Sequence, residues 1–296
     1  MKVVVGGASG LIGSALVPVL RASGHDVVRL VRREPSAADE IRWDPAAGTL
    51  DASALQGVDA IVNLSGENIG QRWTQSRKRE IRESRVNATS LLARTAAAHA
   101  PHPRVLVSAS AIGIYPDRGD EILTEESGEA SGFLADVVRA WEAAAAPARA
   151  AGIRVVTLRQ SPVIARNGGP LERMLLPFKL GIGGRLGSGK QWFSWVSIDD
   201  LTAAYVHVLA TDVDGVLNVT APNPVTNQQL TRALGNALRR PTVLPVPAFA
   251  IRTLFGEMGT DMLLDGKRIL PARLLDAGFE FSTPTIDVAL ERALTA

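Results

Sequence analysis

Apolar positions along this chain fall into short unbroken runs, separated by longer stretches in which they recur every three or four residues. The segment Lys2 to Gly6 holds Val3-Val4-Val5, too short for a helix and β-branched throughout, which predicts a strand. Leu16, Val19 and Leu20 then recur at helical spacing, Gly24 ends that helix, and Asp26 to Val31 is a second strand-like run. A strand, a turn, a helix and a strand in this order have the shape of a parallel crossover.

The alternation continues. Strands are expected over Asp59 to Leu64, Arg104 to Ser108 and Ile153 to Leu158. Between them lie two alanine-rich helical stretches, Arg79 to Ala100 ahead of Pro101, and Phe133 to Ala151 ahead of Gly152. Repeated strand–helix units argue for a doubly wound parallel sheet. After Ala165 the texture changes. Gly168-Gly169-Pro170 and Gly181 to Gly184 bracket an apolar helix, and Gly187-Ser188-Gly189-Lys190 leads into Trp192-Phe193-Ser194-Trp195. Asp199 or Asp200 is expected to cap a helix running through Leu209. A strand over Gly215 to Thr220 and a helix over Gln228 to Leu238 follow, then short helices between Pro245, Pro247, Pro271 and Pro284.

The most informative segment is Gly7-x-x-Gly10-x-x-Gly13, between the first strand and the first helix. One glycine allows a positive φ, one lets backbone approach a pyrophosphate, and one lets helix and strand pack closely. The helix N-terminus offers free N–H groups and a partial positive charge to phosphates. Gly7, Ser9, Gly10, Leu11, Ile12 and Gly13 are therefore the expected dinucleotide-binding turn; a tight turn without ligand is the alternative. The fold class that follows is α/β: a Rossmann-type doubly wound parallel sheet over residues 1–215, with a smaller C-terminal α+β lobe over 216–296 on the substrate side.

The second strand ends in Arg32-Arg33-Glu34. An acidic residue there would bind a ribose 2′-OH, whereas guanidinium groups match a 2′-phosphate. Arg32 and Arg33 thus favour NADP, and Glu34 keeps NAD possible. The third strand runs into Leu64-Ser65-Gly66-Glu67. Ligands of such sheets lie beyond the carboxyl ends of the strands, so Leu64, Ser65 and Gly66 should lie against the cofactor, with Glu67 pointing on into the cleft.

Composition narrows the partners. A surplus of two charges, from 32 basic against 30 acidic residues, is no nucleic-acid footprint. With no cysteine, the chain can form no disulfide, cysteine-based metal centre or thiol nucleophile. Its four histidines, His25, His99, His102 and His207, are scattered, so no metal site is expected. No apolar run reaches ~20 residues and no signal-like segment opens the chain. The expectation is a cytoplasmic monomer or homodimer that meets a small-molecule substrate, with no nucleic acid and no membrane.

The fourth strand ends in Ser108-Ala109-Ser110-Ala111-Ile112-Gly113-Ile114-Tyr115. Together with Gly66-Glu67-Asn68, Trp141-Glu142-Ala143-Ala144, Leu186 to Gly189, Gln191 to Trp195, Ala221 to Asn227 and Leu244 to Pro247, it makes the chain resemble the extended short-chain dehydrogenase/reductases. These form the NAD-dependent epimerase/dehydratase family, and the likeness is to the branch with a C-terminal domain of unknown function. The resemblance covers essentially the whole chain. It implies an NADP-binding oxidoreductase or epimerase acting on a small polar molecule. Ser110 matches the serine that holds the reacting oxygen, and Ser108, Glu80, Arg85 and Val163 match positions along the cofactor.

In that family a Tyr-x-x-x-Lys pair on the next helix moves the proton, the cation favouring the phenolate. Here the only tyrosines are Tyr115 and Tyr205, followed four residues later by Gly119 and Leu209. Counting back from Glu142, the tyrosine and lysine places hold Leu134 and Val138. Tyr115, five residues past Ser110, is the candidate substitute acid, against a purely packed role. A cofactor-sensing module that kept the nucleotide site and lost the chemistry is the rival expectation.

Overall fold

The computed structural model describes residues 1–295. In chain order the first half comprises β1 (Lys2–Gly6), α1 (Leu11–Ala22), β2 (Asp26–Val31), β3 (Glu40–Asp44), β4 (Thr49–Leu50), β5 (Ala60–Asn63), α2 (Gln75–Ala98), β6 (Val105–Ala111), β7 (Ile122–Leu123), α3 (Phe133–Ala143) and α4 (Ala146–Ala150). The second half comprises β8 (Arg154–Gln160), β9 (Val163–Ile164), α5 (Gly169–Lys179), β10 (Trp192–Phe193), β11 (Val196–Ser197), α6 (Ile198–Ala210), β12 (Gly215–Val219) and β13 (Val225–Thr226). It ends with α7 (Asn227–Leu238), α8 (Ala248–Phe255), α9 (Glu257–Gly259), β14 (Arg268–Ile269), α10 (Ala272–Asp276) and α11 (Ile286–Thr295).

The main sheet has the order β12-β8-β6-β5-β1-β2-β3-β4, parallel throughout except for the β3–β4 edge pair. The continuous apolar runs of the sequence find their reason here. Val3 and Val5 pack into the layer of α1 and α6 with Leu16, Leu20 and Leu201, while Val4 faces the opposite layer of α2 with Leu91 and Leu92. Neighbouring residues point to opposite faces, so a strand covered on both sides is apolar at every position. Each such side chain contributes ~1.5–3 kcal/mol on burial.

Several expectations change. The boundary at 215/216 falls inside the main sheet, because β12 pairs in parallel with β8 from Gly215↔Val156 to Val219↔Gln160. The lobe is assembled around Leu171, Phe178, Trp195, Leu230, Leu234, Ile286 and Leu290. Its elements therefore come from both sides of β12. The expected helix over Phe133 to Ala151 is two helices, α3 and α4, with Pro147 in the first turn of the second. Proline lacks the N–H that a continuous helix needs and its ring crowds the preceding turn. Helix α6 is capped by Ser197, which accepts from the Asp200 amide at 3.0 Å, not by an aspartate. The Asp200 carboxylate instead accepts from Ser282 N and Oγ (2.8 Å each), from Thr283 N (3.0 Å) and from Thr283 Oγ1, tying the lobe to α6.

Strands β3 and β4 were not anticipated from the sequence pattern. Only Ile41, Trp43 and Leu50 carry their apolar side, and the register is reinforced by charge. Asp39 accepts from Arg29 twice at 2.8 Å and from Arg21; Glu40 accepts from Arg33 at 2.8 and 2.6 Å.

A buried polar junction links the layers on the other face. Thr89 Oγ1 accepts from Asn63 Nδ2 and Trp141 Nε1, both at 2.9 Å, joining β5, α2 and α3. Thr89→Val keeps the shape but leaves two buried donors unpaired, so urea unfolding should show a loss of about 2–4 kcal/mol. The charged edge makes a pH prediction. Arg29, with Arg21, holds Asp39 at about 2, and Arg33, with the Ser36 amide, holds Glu40 at about 2. Both folded values lie below the ordinary 3.8 and 4.5, so the stabilisation is complete above that range and is lost as pH falls through it towards 2. Melting temperatures between pH 6 and pH 2.5, taken as approximate brackets of that window, should fall less steeply for Glu40→Gln than for the parent.

Candidate functional site

The carboxyl ends of β1, β5, β6 and β8 open on one edge of the sheet, and the turn between β1 and α1 lies at its centre. Gly7 has φ 78°, and a Cβ there would stand 2.7 Å from the Leu64 carbonyl carbon. At Gly13 a Cβ would meet Gly7 O at 2.3 Å and Ala8 Cα at 2.6 Å, so helix and turn touch backbone to backbone. Gly10 is different: its nearest contact would be an ordinary 3.5 Å, so its missing side chain leaves open space above the turn. No side chain caps α1, and among the described residues the amides of Leu11, Ile12 and Gly13 find no partner. Ser9 is exposed beside them. Three free donors, the positive end of a helix and a side-chain-free approach form an anion cradle.

One wall of this groove is Leu64–Gly66. Leu64 N donates to Gly6 O at 2.9 Å, and Ser65 N donates to Asn63 Oδ1 at 3.1 Å. Ser65 Oγ is buried without a hydrogen-bond partner, an arrangement that calls for a ligand atom. Behind Gly66 lies Arg85, which donates to Ile81 O and Glu67 O at 2.9 Å and stacks 5.1 Å from the Trp141 ring. Burial lowers its pKa to about 10, with Glu67 opposing, and among the described residues it makes no ion pair. It therefore remains a half-buried cation at neutral pH without a paired anion.

The two arginines after β2 are not equivalent. Arg33 is committed to Glu40, whereas Arg32 is exposed and makes no ion pair among the described residues. Of the two arginines expected at a 2′-phosphate, Arg33 is thus occupied within the protein. Glu34 is exposed and paired with Arg42. Glu80 lies on the outer surface of α2, bonded to Ser76 at 3.1 Å and Arg77 at 2.8 Å, and the Arg77 contact lowers its pKa. Glu67 is held 3.4 Å from Arg77 rather than reaching freely into the cleft. Val163 lies in β9, buried, paired with Val196 beside the groove. Ser108 is buried within β6 and donates to Ala109 O at 3.1 Å.

Ser110 and Tyr115 lie in a buried chain of polar groups. Ser110 Oγ donates to Glu142 Oε1 at 2.6 Å. Glu142 in turn receives Arg159 Nε and Nη2, both at 2.9 Å, a bidentate pair with side chains 15% and 7% exposed. Arg159 Nη1 donates to the Tyr115 hydroxyl at 2.9 Å, and that hydroxyl donates to Asn218 Oδ1 at 2.8 Å. Tyr115 is fully buried. Burial raises its pKa, while Arg159 and Asn218 oppose, so the phenol stays protonated at neutral pH. Tyr115, the candidate substitute acid, is thus a phenol enclosed in a network, its ring packed with Ile114, Leu123 and Ile269. Burial works against the charge of Arg159, but Glu142 outweighs it and raises its pKa.

The sequence reading missed Arg159 and Asn218 as members of this group. A charged residue ending the apolar run Val155–Leu158 was the available signal, since a charge inside a sheet needs a partner. Leu134 and Val138, expected at the family's tyrosine and lysine places, have apolar surroundings. Leu134 packs against Trp73, Ile81 and Phe133, and Val138 is buried with Tyr115 and Ala135. In the aromatic stretch, Trp195 is core, Trp192 lies 4.5 Å under Arg268, and Lys190 is exposed. No helix is long and apolar enough to cross a membrane, and no metal-binding cluster exists among the described residues.

Comparison with known proteins follows the same lines. Residues 3–220 match the model of the NAD dependent epimerase/dehydratase family, and residues 246–293 match a domain of unknown function, DUF1731. Epimerase family protein Mb2239 of Mycobacterium bovis is 43% identical over 295 residues, covering 99% of this chain and 97% of that protein. The human epimerase family protein SDR39U1 is 39% identical over 298 residues, covering 98% and 99%. A crystal structure of human SDR39U1 (isoform 2) with NADPH superposes with a TM-score of 0.90 at 35% identity over the full length of both chains. The glycine turn, the parallel sheet and the C-terminal lobe thus have one source: this chain belongs to the NAD dependent epimerase/dehydratase family, in the SDR39U1-like group that carries DUF1731.

Proposed function

We propose that this protein binds NADP(H) and acts as an epimerase-like oxidoreductase of the extended short-chain dehydrogenase/reductase type on a small polar molecule. The observation that carries the reading is the uncapped start of α1 above Gly10, with the orphaned Ser65 hydroxyl facing the same groove. The NADPH held by the human relative supports it. Bound there, the dinucleotide supplies hydride transfer at its nicotinamide.

The residues of the chain divide the remaining work. The amides of Leu11, Ile12 and Gly13 would hold the pyrophosphate, with Ser9 and Gly10 at the turn. Arg32 would pair with the 2′-phosphate, and Arg33 would keep the β2–β3 edge in place by holding Glu40. Leu64, Ser65 and Gly66 would line the adenosine side, with Arg85 supplying positive charge behind them and the Val163 backbone at the far end. Glu80 would act through Arg77 and not on the cofactor itself. Ser110, held by Glu142 at the end of β6, would stand at the substrate oxygen only after exchanging that bond. Tyr115 would position Arg159 and Asn218 and take no part in proton transfer.

A second reading rests on Leu134 and Val138, whose apolar packing removes the usual proton pair. On it, the protein senses the NADP(H) state without turnover. Absorbance at 340 nm (the reduced cofactor band), followed against a panel of carbonyl compounds and nucleotide sugars, separates the two.

Two variants test the cofactor site by titration calorimetry. Gly13→Ala drives a Cβ into Gly7 O and Ala8 Cα, so the turn must open, and NADPH affinity should fall at least about tenfold, ~1.4 kcal/mol. Arg32→Ala removes a charge-assisted contact worth ~1.5–3 kcal/mol, so NADPH should weaken about tenfold or more while NADH changes little. Equal losses for the two cofactors would remove Arg32 from the 2′-phosphate.

A further inference from the structure

A cleft of about 410 Å³ opens at the N-terminal end of α3, between the end of β6 and the lobe. Its floor includes Gly113 and Leu134, the latter in the place where the family keeps its tyrosine. Strands stand ~4.8 Å apart, so β6 lies ~10 Å from the glycine turn of β1, within the span of a dinucleotide. The lobe side of the cleft carries Asp261, Asp265 and Lys267, and the turn after Tyr115 adds Asp117.

Lys267 is held from both sides. Gly266 N donates to Asp117 Oδ2 at 2.9 Å, Lys267 N donates to Trp192 O at 3.3 Å, and Lys267 O accepts from Ser194 Oγ at 2.7 Å. Gly266 leaves no room to shift, since a Cβ there would meet Trp192 N at 2.3 Å. The backbone is thus fixed while the Lys267 ammonium, among the described residues, makes no hydrogen bond and no ion pair. The side chain is half-buried in the wall of the cleft, and an unpaired ammonium at such a place is available to a ligand.

We infer that this cleft receives the reacting end of the substrate, that Lys267 Nζ is the donor to its carbonyl or hydroxyl oxygen in place of the missing tyrosine, and that the substrate carries no phosphate there. The inference rests on the oxidoreductase reading above. The surroundings set the charge. Asp117, Asp261, Asp265 and Glu257 face the cleft; Lys78 of α2 is paired with Glu257 at 2.7 and 2.5 Å, Arg252 of α8 stands near Asp265, and Arg268 stacks on Trp192. With Glu257 neutralised by Lys78, the three carboxylates of Asp117, Asp261 and Asp265 still outnumber Lys267 and Arg252, a balance that disfavours a phosphate and accepts an uncharged or cationic carbonyl compound or alcohol. Burial lowers the pKa of Lys267, against the pull of Asp265, Asp117 and Asp261, which brings the amine closer to useful proton exchange. Burial, and for Asp261 the neighbouring carboxylates, raise Asp261 and Asp265. The step given to Lys267 is proton transfer alone. In reduction its N–H bond breaks and the substrate O–H bond forms, the electron pair arriving as hydride from a reduced nicotinamide dinucleotide; the neutral amine then takes a proton from water.

The chain has only five lysines, Lys2, Lys78, Lys179, Lys190 and Lys267, so each can be followed after reductive methylation with ¹³C-formaldehyde and assigned by single Lys→Arg variants. The Lys267 signal should titrate at lower pH than the other four. It should move on addition of glyceraldehyde, an uncharged hydroxy-aldehyde, and stay still on addition of UDP-glucose. A Lys267 that resists methylation, titrates with the others, ignores glyceraldehyde or responds to UDP-glucose overturns the inference. NADPH binding is measured on the same unmodified protein. Failure of that binding sinks the oxidoreductase reading and leaves the lysine titration as a separate result.

Discussion

The close approach of backbone to backbone where β1 turns into α1 is the constraint on which the rest of this structure depends. Gly13 lies against Gly7 and Ala8, and Gly7 lies against Leu64, at distances that exclude even a methyl group. This contact sets the height of α1 over the sheet. It also points the first helical amides at open space above Gly10 and brings the loop after β5 alongside. A phosphate cradle made of main chain needs no particular side chain, only the absence of several. The wall of the groove, the orphaned Ser65 hydroxyl and the guanidinium of Arg85 are then placed by the sheet order that this crossing begins.

Across the sheet edge, Leu134 and Val138 of α3 pack into apolar clusters. The buried charge is found one layer deeper, in the pair of Arg159 with Glu142, flanked by Ser110, Tyr115 and Asn218. A buried pair of this kind contributes little net stability, since desolvation offsets attraction, but losing either partner strands a charge. Its geometric effect is clearer: it joins β6, α3, β8 and β12 through side chains with fixed directions. Beside them opens the cleft lined by Tyr115, whose charged groups come from the lobe and from the turn after Tyr115.

Much of this was legible from residues alone. The runs at Lys2–Gly6, Asp26–Val31 and Ile153–Leu158 marked buried strands because a sheet covered on both faces requires apolar side chains at consecutive positions. The glycine spacing marked the cradle because only glycine tolerates those contacts. What misled was local. The alanine-rich stretch from Phe133 read as one helix because Pro147 was outweighed by its neighbours, and Asp199-Asp200 read as a cap although Ser197 was the residue in extended conformation before the helix. Strand β3 escaped notice because its short alternation is reinforced by Arg29, Arg33, Asp39 and Glu40, which from sequence alone are surface charges.

The residues alone specified strands β1, β2, β5, β6, β8 and β12, the crossover and the glycine turn, since each follows from periodicity and from side chains that must be absent. Tertiary structure decided which of two adjacent arginines is free, that the Tyr115 hydroxyl is enclosed, and that Asp117 holds the Gly266 amide next to Lys267. Those outcomes rest on contacts between residues far apart in the chain, Tyr115 with Asn218 and Asp117 with Gly266 among them. No local pattern encodes such pairings, because they exist only once helices, strands and lobe have packed.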